Sequence, residues 1–589
     1  MKFLVLAIDF DGTIATNDVL NPEVRAALGE LRRRGIIVIL VTGRILDDLR
    51  QVCGDLHFLD AVVGENGAAI EFPDTGYSMT LAPPPSEALL AELRSAGIEH
   101  KHGHAVIEAS ATDGSAILAL LQRLELPLTL MFNRGRVMVL PQAVTKATGL
   151  EYALTILRLS PHNALGIGDA ENDHELLRLC EVGVAVNWGS EALKRAADHV
   201  LPGDGPAAVA KYLIDLAARG FLPIPIAARR RLLLGHTDSG EPLALAVRGR
   251  NVLVAGEPKS GKSWVAGLLC EQLILYGYSV CVLDPEGDYT SLEALPGVTV
   301  MGGRDPLPRP RDLVRALRHS DVSIVIDLSH TEHREKLEYV RSVLPALAML
   351  RRRTGLPHRI VLDEAHYFLQ DPESRRLLDL ELSGYTFVTY RASALCPESL
   401  RASQAILVTR ESDPAEIQTL KSFCTCTART EAEWVNMFRD LVIGEAAALP
   451  VTEEAQGDVR RIHLAPRLTP HVRHLAKYVD IPIEDSRAFI FWTDTGQTGQ
   501  RARTLGELAD VLDHVPARRF DGHLLRKDFS HWIVGVFGDH QLAAEVSRIE
   551  DRYRESSTRE ATEEIVREIQ SRYDLTPFSA RDGSLQPVA

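Results

Sequence analysis

The chain has no apolar run approaching the ~20 residues that a membrane-spanning helix needs. Its opening, MKFLVLAIDFDG, carries a single Lys, and Asp9 and Asp11 break its apolar stretch. That pattern predicts a buried strand rather than a secretion signal. Cysteine is scarce and unpatterned. There are seven, an odd number without metal-ligand spacing, and Cys424-x-Cys426 stands alone. This excludes a disulfide framework or a zinc site and points to the cytoplasm. Positive charge is also short, 65 Lys and Arg against 80 Asp and Glu, for a net charge of −15. Nucleic-acid binding over the whole surface is thereby excluded, while a locally basic channel is not. The triplets Arg32–Arg34, Arg229–Arg231 and Arg351–Arg353 read as solvated helix faces or linker residues. No internal repeat is present.

What is there is ordinary globular material, 45% hydrophobic and 25% charged, in 589 residues, too long for one core. Residues 1–220 alternate apolar runs with helical patterns (FLVLAI, PEVRAALGELRRRG, IIVILVTG), which predicts a doubly wound parallel α/β sheet. From about 83 to 143 the rhythm changes to a small inserted α+β cap with a hairpin at Asn133-Arg134-Gly135. A Pro-containing linker, 221–232, leads to a second doubly wound α/β unit over 233–470. Residues 485–578 read as an accessory α+β and helical domain, and 579–589 as a disordered tail.

The first chemical constellation starts at Asp9-Phe10-Asp11-Gly12-Thr13, where a strand ends. Two carboxylates two residues apart reach one side of such a strand. One can attack phosphorus while the other protonates the leaving oxygen. Thr42-Gly43-Arg44 ends the next strand, Lys146 opens a helix after the inserted module, and Gly168-Asp169-Ala170-Glu171-Asn172-Asp173 follows the strand ALGIG. Acidic groups gathered around a phosphate call for a hard cation, Mg²⁺, and Thr42 and Lys146 would steady the phosphoryl oxygens. On these boxes the segment resembles the Cof-like phosphatases of the haloacid dehalogenase superfamily, as does its Glu65-Asn66-Gly67-Ala68 turn. The resemblance implies Asp9 as nucleophile and Asp11 as general acid/base. It implies Mg²⁺ among Asp9, the Asp11 carbonyl and Asp169, with Asp173 supporting. Gly43, Arg44 and Asn172 would hold the substrate phosphate of a small metabolite, such as phosphoglycolate or a sugar phosphate.

The second constellation is Gly256-Glu257-Pro258-Lys259-Ser260-Gly261-Lys262-Ser263, between the strand NVLVA and the helix WVAGLLCEQLILYG. Backbone N–H groups of such a loop wrap ATP phosphates, Lys262 reaches the β- and γ-phosphates, and Ser263 contacts Mg²⁺. Asp363 and Glu364 follow the strand RIVL, suited to the metal and to the attacking water. With VLDPEGDY at 282–289, this half resembles the HerA/FtsK group of hexameric P-loop ATPases. The resemblance implies ATP sites completed by a neighbour's arginine, with Arg410 matching that position and Arg391 as an alternative. Thr389-Tyr390-Arg391 stands where the group carries a Gln, and the preceding β-barrel is missing, so DNA translocation is in doubt.

The C-terminal aromatic and basic residues Trp492, Arg519, His523, Arg526, Lys527 and Trp532 could stack on nucleic acid. At helical spacing they read first as core. The expectation is a Mg²⁺-dependent phosphatase fused to an ATP-hydrolysing module, forming a homo-oligomer, a hexamer. Two alternatives remain open: a nucleic-acid motor or defence ATPase with DNA in an oligomeric channel, its phosphatase domain acting on DNA ends or nucleotides, or an ATPase ring that scaffolds and regulates the phosphatase.

Overall fold

The computed structural model describes residues 2–133, 135–219, 229–247, 250–370, 376–424, 430–449, 459–470, 483, 487–493, 496–537, 540–556 and 560–573. Arg134, Cys426, most of the expected linker and the expected tail lie outside them. The chain falls into two compact units, 1–285 with 289–470, and 286–288 with 471–589.

The N-terminal sheet is built from β1 (Val5–Ile8), β4 (Ile37–Val41), β5 (Ala61–Gly64), β6 (Ala69–Phe72), β7 (Tyr77–Thr80), β12 (Ala164–Gly168), β13 (Val182–Val186) and β14 (His199–Leu201). Its order is β14-β13-β12-β1-β4-β5-β6-β7, with parallel pairing except at the β5–β6 and β6–β7 pairs of one edge, where β6 is reversed. Helices cover both faces, which explains the unbroken apolar run of β1. Leu6 and Ile8 enter one core with Leu28 and Val209, while Val5 and Ala7 enter the other with Leu150 and Leu154. A two-stranded flap, β2 (Ala15–Thr16) and β3 (Val19–Leu20), follows the first acidic box. The sequence reading missed it. Asn17 and Asp18, at φ 50° and 61°, make its turn, a position these residues tolerate through their short polar side chains. The inserted cap is a four-stranded antiparallel sheet, β10-β11-β9-β8, made of β8 (His100–His102), β9 (Ile107–Ser110), β10 (Leu128–Asn133) and β11 (Arg136–Pro141). Helices Glu87–Ser95 and Gly114–Arg123 pack on it through Leu89, Leu93 and Ile117.

The second sheet holds β15 (Arg231–His236), β16 (Pro242–Ala246), β17 (Asn251–Ala255), β18 (Val280–Asp284), β19 (Val298–Gly302), β20 (Ser323–Asp327), β21 (Arg359–Leu362), β22 (Tyr385–Thr389), β23 (Ser403–Val408), β24 (Glu445–Leu449) and β25 (Arg460–Leu464). The strands β23-β17-β22-β21-β18-β20-β19 run parallel. An antiparallel extension, β24-β25-β15-β16, adds four strands that the sequence reading did not foresee. β15 begins at Arg231, inside the stretch expected as linker.

The phosphatase-like and P-loop halves meet at the N-terminal ends of their strands. His162, just before β12, stacks on Tyr278, just before β18, with centroids 3.7 Å apart and an interplanar angle of 18°. Buried Glu181 accepts from the Tyr278 hydroxyl at 2.8 Å and faces His162 Nδ1 at 3.0 Å and Arg230 Nη1 at 3.4 Å. Arg229 pairs with Asp198 at 2.6 Å. Arg229 and Arg230 are therefore fastening residues rather than solvated linker. Arg351 departs from its expected solvated face as well, being 4% exposed.

The C-terminal unit contains a hairpin, Phe489–Thr493 with Gly496–Ala502, and helices including Leu505–His514 and Ala561–Tyr573 around Phe491, Phe520, Phe529, Val546 and Ile565. Three of its singled-out basic residues are taken by acids. His523 Nδ1 meets Asp528 at 2.7 Å, Arg526 meets the same carboxylate at 2.7 Å, and Lys527 meets Asp551 at 2.6 Å. Trp532 packs partly against this core, whereas Trp492 is 52% exposed and departs from the core reading.

Candidate functional site

At the C-terminal ends of β1 and β12, Asp9, Asp169 and Asp173 gather so that one carboxylate oxygen of each lies within 4.8 Å of the others. All three are buried. Lys146 Nζ donates to Asp9 Oδ1 at 2.6 Å and to Asp173 Oδ1 at 2.7 Å, and is itself 1% exposed. Thr13 spans the other pair, its hydroxyl 3.2 Å from Asp9 Oδ2 and 3.4 Å from Asp169 Oδ1. Burial first, then the charge of Asp173, push the Asp9 carboxyl well above its ordinary value, with Lys146 pulling the other way. One ammonium among three buried carboxylates leaves negative charge uncompensated. A hard divalent cation fits that donor set.

Local structure fixes this geometry. Lys146 is the first residue of helix Lys146–Leu157, whose Thr145 cap accepts from the Thr148 N–H. The helix is seated against the Glu65–Gly67 turn at two glycines. A Cβ on Gly67, at φ 104°, would lie 1.9 Å from the Thr145 carbonyl, and one on Gly149 would lie 2.6 Å from Gly67 Cα. Glu65 ties the cap down by accepting the N–H groups of His104 and Ala105, both at 2.9 Å. Asp173 is a positioning group as much as a ligand candidate, because its Oδ2 accepts the Asp169 and Ala170 N–H groups at 2.9 and 3.1 Å. Trp188 Nε1 donates to the Gly12 carbonyl at 2.6 Å and holds the loop after Asp11.

Above the carboxylates is a cavity of about 200 Å³, lined by Asp9, Asp11, Gly43, Lys146, Asp169 and Asn172 from the core, Asp18 from the flap, and Glu108, Arg136 and Met138 from the cap. Thr42 stands behind this wall, fully buried, its hydroxyl accepting the Arg44 N–H at 3.2 Å. Arg44, expected beside the substrate phosphate, lines this cavity and meets carboxylates. Its Nε and Nη2 meet the two oxygens of Asp11 at 2.8 and 2.6 Å, and it also contacts Asp18. The flap brings Asp18 there, so this guanidinium grips carboxylates. Asp18, Thr13, Glu108, Arg136 and Trp188 were not foreseen as part of the site. Thr13 stood in plain view inside the acidic box, whereas the cap pair Arg136–Glu108 carries no local signal.

In the second half the loop between β17 and helix Lys262–Leu275 has Lys259 and Gly261 at φ 65° and 105°. Nothing lies within 4 Å of a Cβ built on Gly261, whereas one on Gly256 would strike the Thr409 hydroxyl at 2.1 Å. Such an alternation of conformations turns successive N–H groups inward, and it fits polyphosphate. Lys262 Nζ donates to the Glu257 carbonyl at 3.0 Å, and Ser260 Oγ to the same carbonyl at 2.7 Å. Pro258 and Ser263 complete the loop and the helix start. Asp363 is buried at the end of β21, and Glu364 follows at φ 45°. β22 lies between β17 and β21. At its end, where the resembling group has Gln, Thr389 Oγ1 meets His366 Nδ1 at 3.0 Å. Arg410, expected to serve a neighbouring subunit, pairs within its own chain with Glu257. The Ser412 hydroxyl donates to the same carboxylate at 2.8 Å. The register explains this, because Ala255 pairs with Val408 and sets residues 409–412 beside 256–260.

The model of the haloacid dehalogenase-like hydrolase family matches residues 6–112 and 117–213, and that of the central domain of helicase HerA matches residues 246–359. The phosphoglycolate phosphatase of Haloarcula marismortui is 30% identical over 222 residues, covering 35% of this chain and 96% of that protein. The phosphoglycolate phosphatase of Methanopyrus kandleri is 27% identical over 230 residues, covering 37% and 97%. A haloacid dehalogenase-like hydrolase structure from Bacteroides thetaiotaomicron covers 36% of the chain and 100% of its own, at 19% identity and a TM-score of 0.33. The chain belongs to the haloacid dehalogenase-like hydrolases, as an enzyme in which a Cof-like phosphatase is fused to a HerA-like P-loop ATPase.

Proposed function

We propose that residues 1–220 hydrolyse a small phosphomonoester through an aspartyl-phosphate intermediate with Mg²⁺, while residues 233–470 hydrolyse ATP. The observation that carries the first reading is Lys146, bridging Asp9 and Asp173 beneath a cavity the cap closes. An Asp9 oxygen attacks phosphorus and the ester P–O bond breaks. Asp11 gives its proton to the leaving oxygen, then takes one from the water that frees phosphate and restores Asp9. Lys146 holds the attacking carboxylate in line, and Asp169 with Asp9 would hold Mg²⁺, Asp173 supporting. When bound, the cation neutralises charge between carboxylates and phosphoryl oxygens. Arg44 occupies both Asp11 oxygens in this structure. In this reading the incoming phosphate takes Arg44 from Asp11, with Gly43 and Asn172 beside it, which frees Asp11 to carry the proton. A cavity of about 200 Å³ suits a metabolite rather than a polymer. Arg136 on the cap suits a second anionic group, in keeping with the phosphoglycolate phosphatases among the relatives.

For the ATPase, Gly256–Ser263 cradle the phosphates, Lys262 exchanges the Glu257 carbonyl for phosphate oxygens, Ser263 and Asp363 hold Mg²⁺, and Glu364 orients water. Arg410 steadies its own loop through Glu257, which leaves Arg391, exposed at the end of β22, to reach a neighbour in a hexameric ring. DNA in that ring stays the second reading, favoured by the HerA match alone.

Asp9→Asn is expected to abolish phosphate release from p-nitrophenyl phosphate and spare ATP turnover. Lys262→Ala should do the reverse. Loss of both activities in either variant would sink the separation of the two sites.

A further inference from the structure

The six-residue helix His174–Leu179 runs from the phosphatase site to the seam between the halves. It starts on Asp173, whose carboxylate receives Lys146 Nζ at 2.7 Å and the Asp169 and Ala170 N–H groups at 2.9 and 3.1 Å. A shift of this helix along its axis therefore moves the group that places both Lys146 and Asp169. The helix start is pressed on β12, where a Cβ on Gly168 would lie 2.5 Å from Asp173 Cγ. Such contacts hold it down on the sheet, and what holds it lengthwise is met at its two ends.

At the C-terminal end the partners come from the P-loop half. Arg230 Nη2 donates to the carbonyls of Arg178 and Leu179 at 2.8 and 3.2 Å, and its Nη1 to the Cys180 carbonyl at 3.3 Å. The last carbonyls of a helix have no partners within it and carry the negative end of its dipole. One guanidinium here serves three of them. Arg230 is fixed in turn, because its Nη1 also lies 3.4 Å from Glu181, which accepts the Tyr278 hydroxyl at 2.8 Å. It directly precedes β15, so its backbone leads into the second sheet. Arg229 shares the Cys180 carbonyl at 3.1 Å and gives its other contacts to Asp198 at 2.8 and 2.6 Å.

We infer that Arg230 is a positioning residue for the phosphatase reaction. Through this side chain the P-loop half holds the helix 174–179 where Asp173 meets Lys146 and Asp169. The inference rests on the phosphatase reading above and deepens it, since that site then depends on a residue of the other half.

Variants of the full chain test it. In Arg230→Met the kcat for p-nitrophenyl phosphate should fall about tenfold, a tenth of what a 1 Å misplacement can cost. KM should stay near wild type, as for a loss felt in the transition state. ATP turnover should not change. Hydrogen exchange of the Asp169 and Ala170 amides, read by mass spectrometry, should quicken about tenfold. Arg230→Lys keeps a cation on the helix carbonyls and should restore most of both. Tyr278→Phe loosens the seam at Glu181 without touching those carbonyls and should leave both readouts at wild-type values. Wild-type kcat and exchange in Arg230→Met would overturn the inference. So would an equal loss in Tyr278→Phe, because general seam stability would then account for it. If the wild-type protein releases no phosphate, the phosphatase reading fails by itself, and the two amides still decide whether Arg230 holds Asp173 in place. Should Arg230→Met not fold, Arg230→Gln carries the same expectations.

Discussion

Replacing Lys146 by Met removes one charge and little volume, so it isolates what the ammonium does. Its Nζ holds Asp9 and Asp173 at 2.6 and 2.7 Å, and all three groups are at most 3% exposed. Breaking a buried pair by deleting one partner costs about 3–5 kcal/mol, because the remaining charge is stranded. Here the stranded groups are three mutually repelling carboxylates. The penalty should be full in EDTA and should shrink when Mg²⁺ supplies the missing positive charge. Hydrogen exchange followed by mass spectrometry reads this directly. Amides of β1 and β12 should lose protection by about 3–5 kcal/mol in EDTA and recover part of it in Mg²⁺, while β17 and β21 stay as in wild type. Hydrolysis of p-nitrophenyl phosphate should fall at least ~10²-fold, the usual cost of removing one preorganised donor, with ATP turnover unaltered. Wild-type protection in EDTA, or phosphatase activity within a fewfold of wild type, would refute the charge argument.

Gly67→Ala places a Cβ 1.9 Å from the Thr145 carbonyl at φ 104°. It should cost at least ~2 kcal/mol and, by displacing the start of the Lys146 helix, lower phosphatase activity ~10²-fold in a steady-state assay without touching ATP turnover. Glu550, fully buried against the Phe529 and Ser530 amides, has its carboxyl raised by burial to about 7 from 4.5. Because folding favours the protonated form, its contribution is present below about pH 4.5 and is lost as pH rises through 7, by about 3 kcal/mol at 1.36 kcal/mol per pH unit. Glu550→Gln should flatten the pH dependence of unfolding of the C-terminal unit across that window. An unchanged slope would exclude Glu550 as its source.

Much of both sites was legible because their chemistry sits at strand ends, where an apolar run stops and a short polar box begins. Asp9, Asp169, Lys262 and Asp363 all lie where that pattern put them, and parallel sheets collect such ends along one edge. The flap, the cap contacts and the antiparallel extension were not legible. β24 and β25, EAAAL and RRIHL, bury Glu445, two consecutive alanines, Leu449 and Ile462 rather than alternating large apolar residues, so they show no clean period of two. Arg136 reaches the cavity through a hairpin that packs across the core, a contact with no trace in local spacing. Arg44 and Arg410 were recognised as site arginines but not by their partners, Asp11 with Asp18 and Glu257. Those pairings depend on a flap and on strand register, which one-dimensional patterns do not encode.

The stack of His162 on Tyr278 fastens the two halves back to back. Each half works at the opposite end of its strands, and β12 and β18 are five residues long apiece, ~16 Å each at ~3.3 Å per residue. Each reaction centre thus stands a full strand length from the seam that joins the halves. The His162–Tyr278 seam lies at the far end of β12 from Asp169 and of β18 from Asp284.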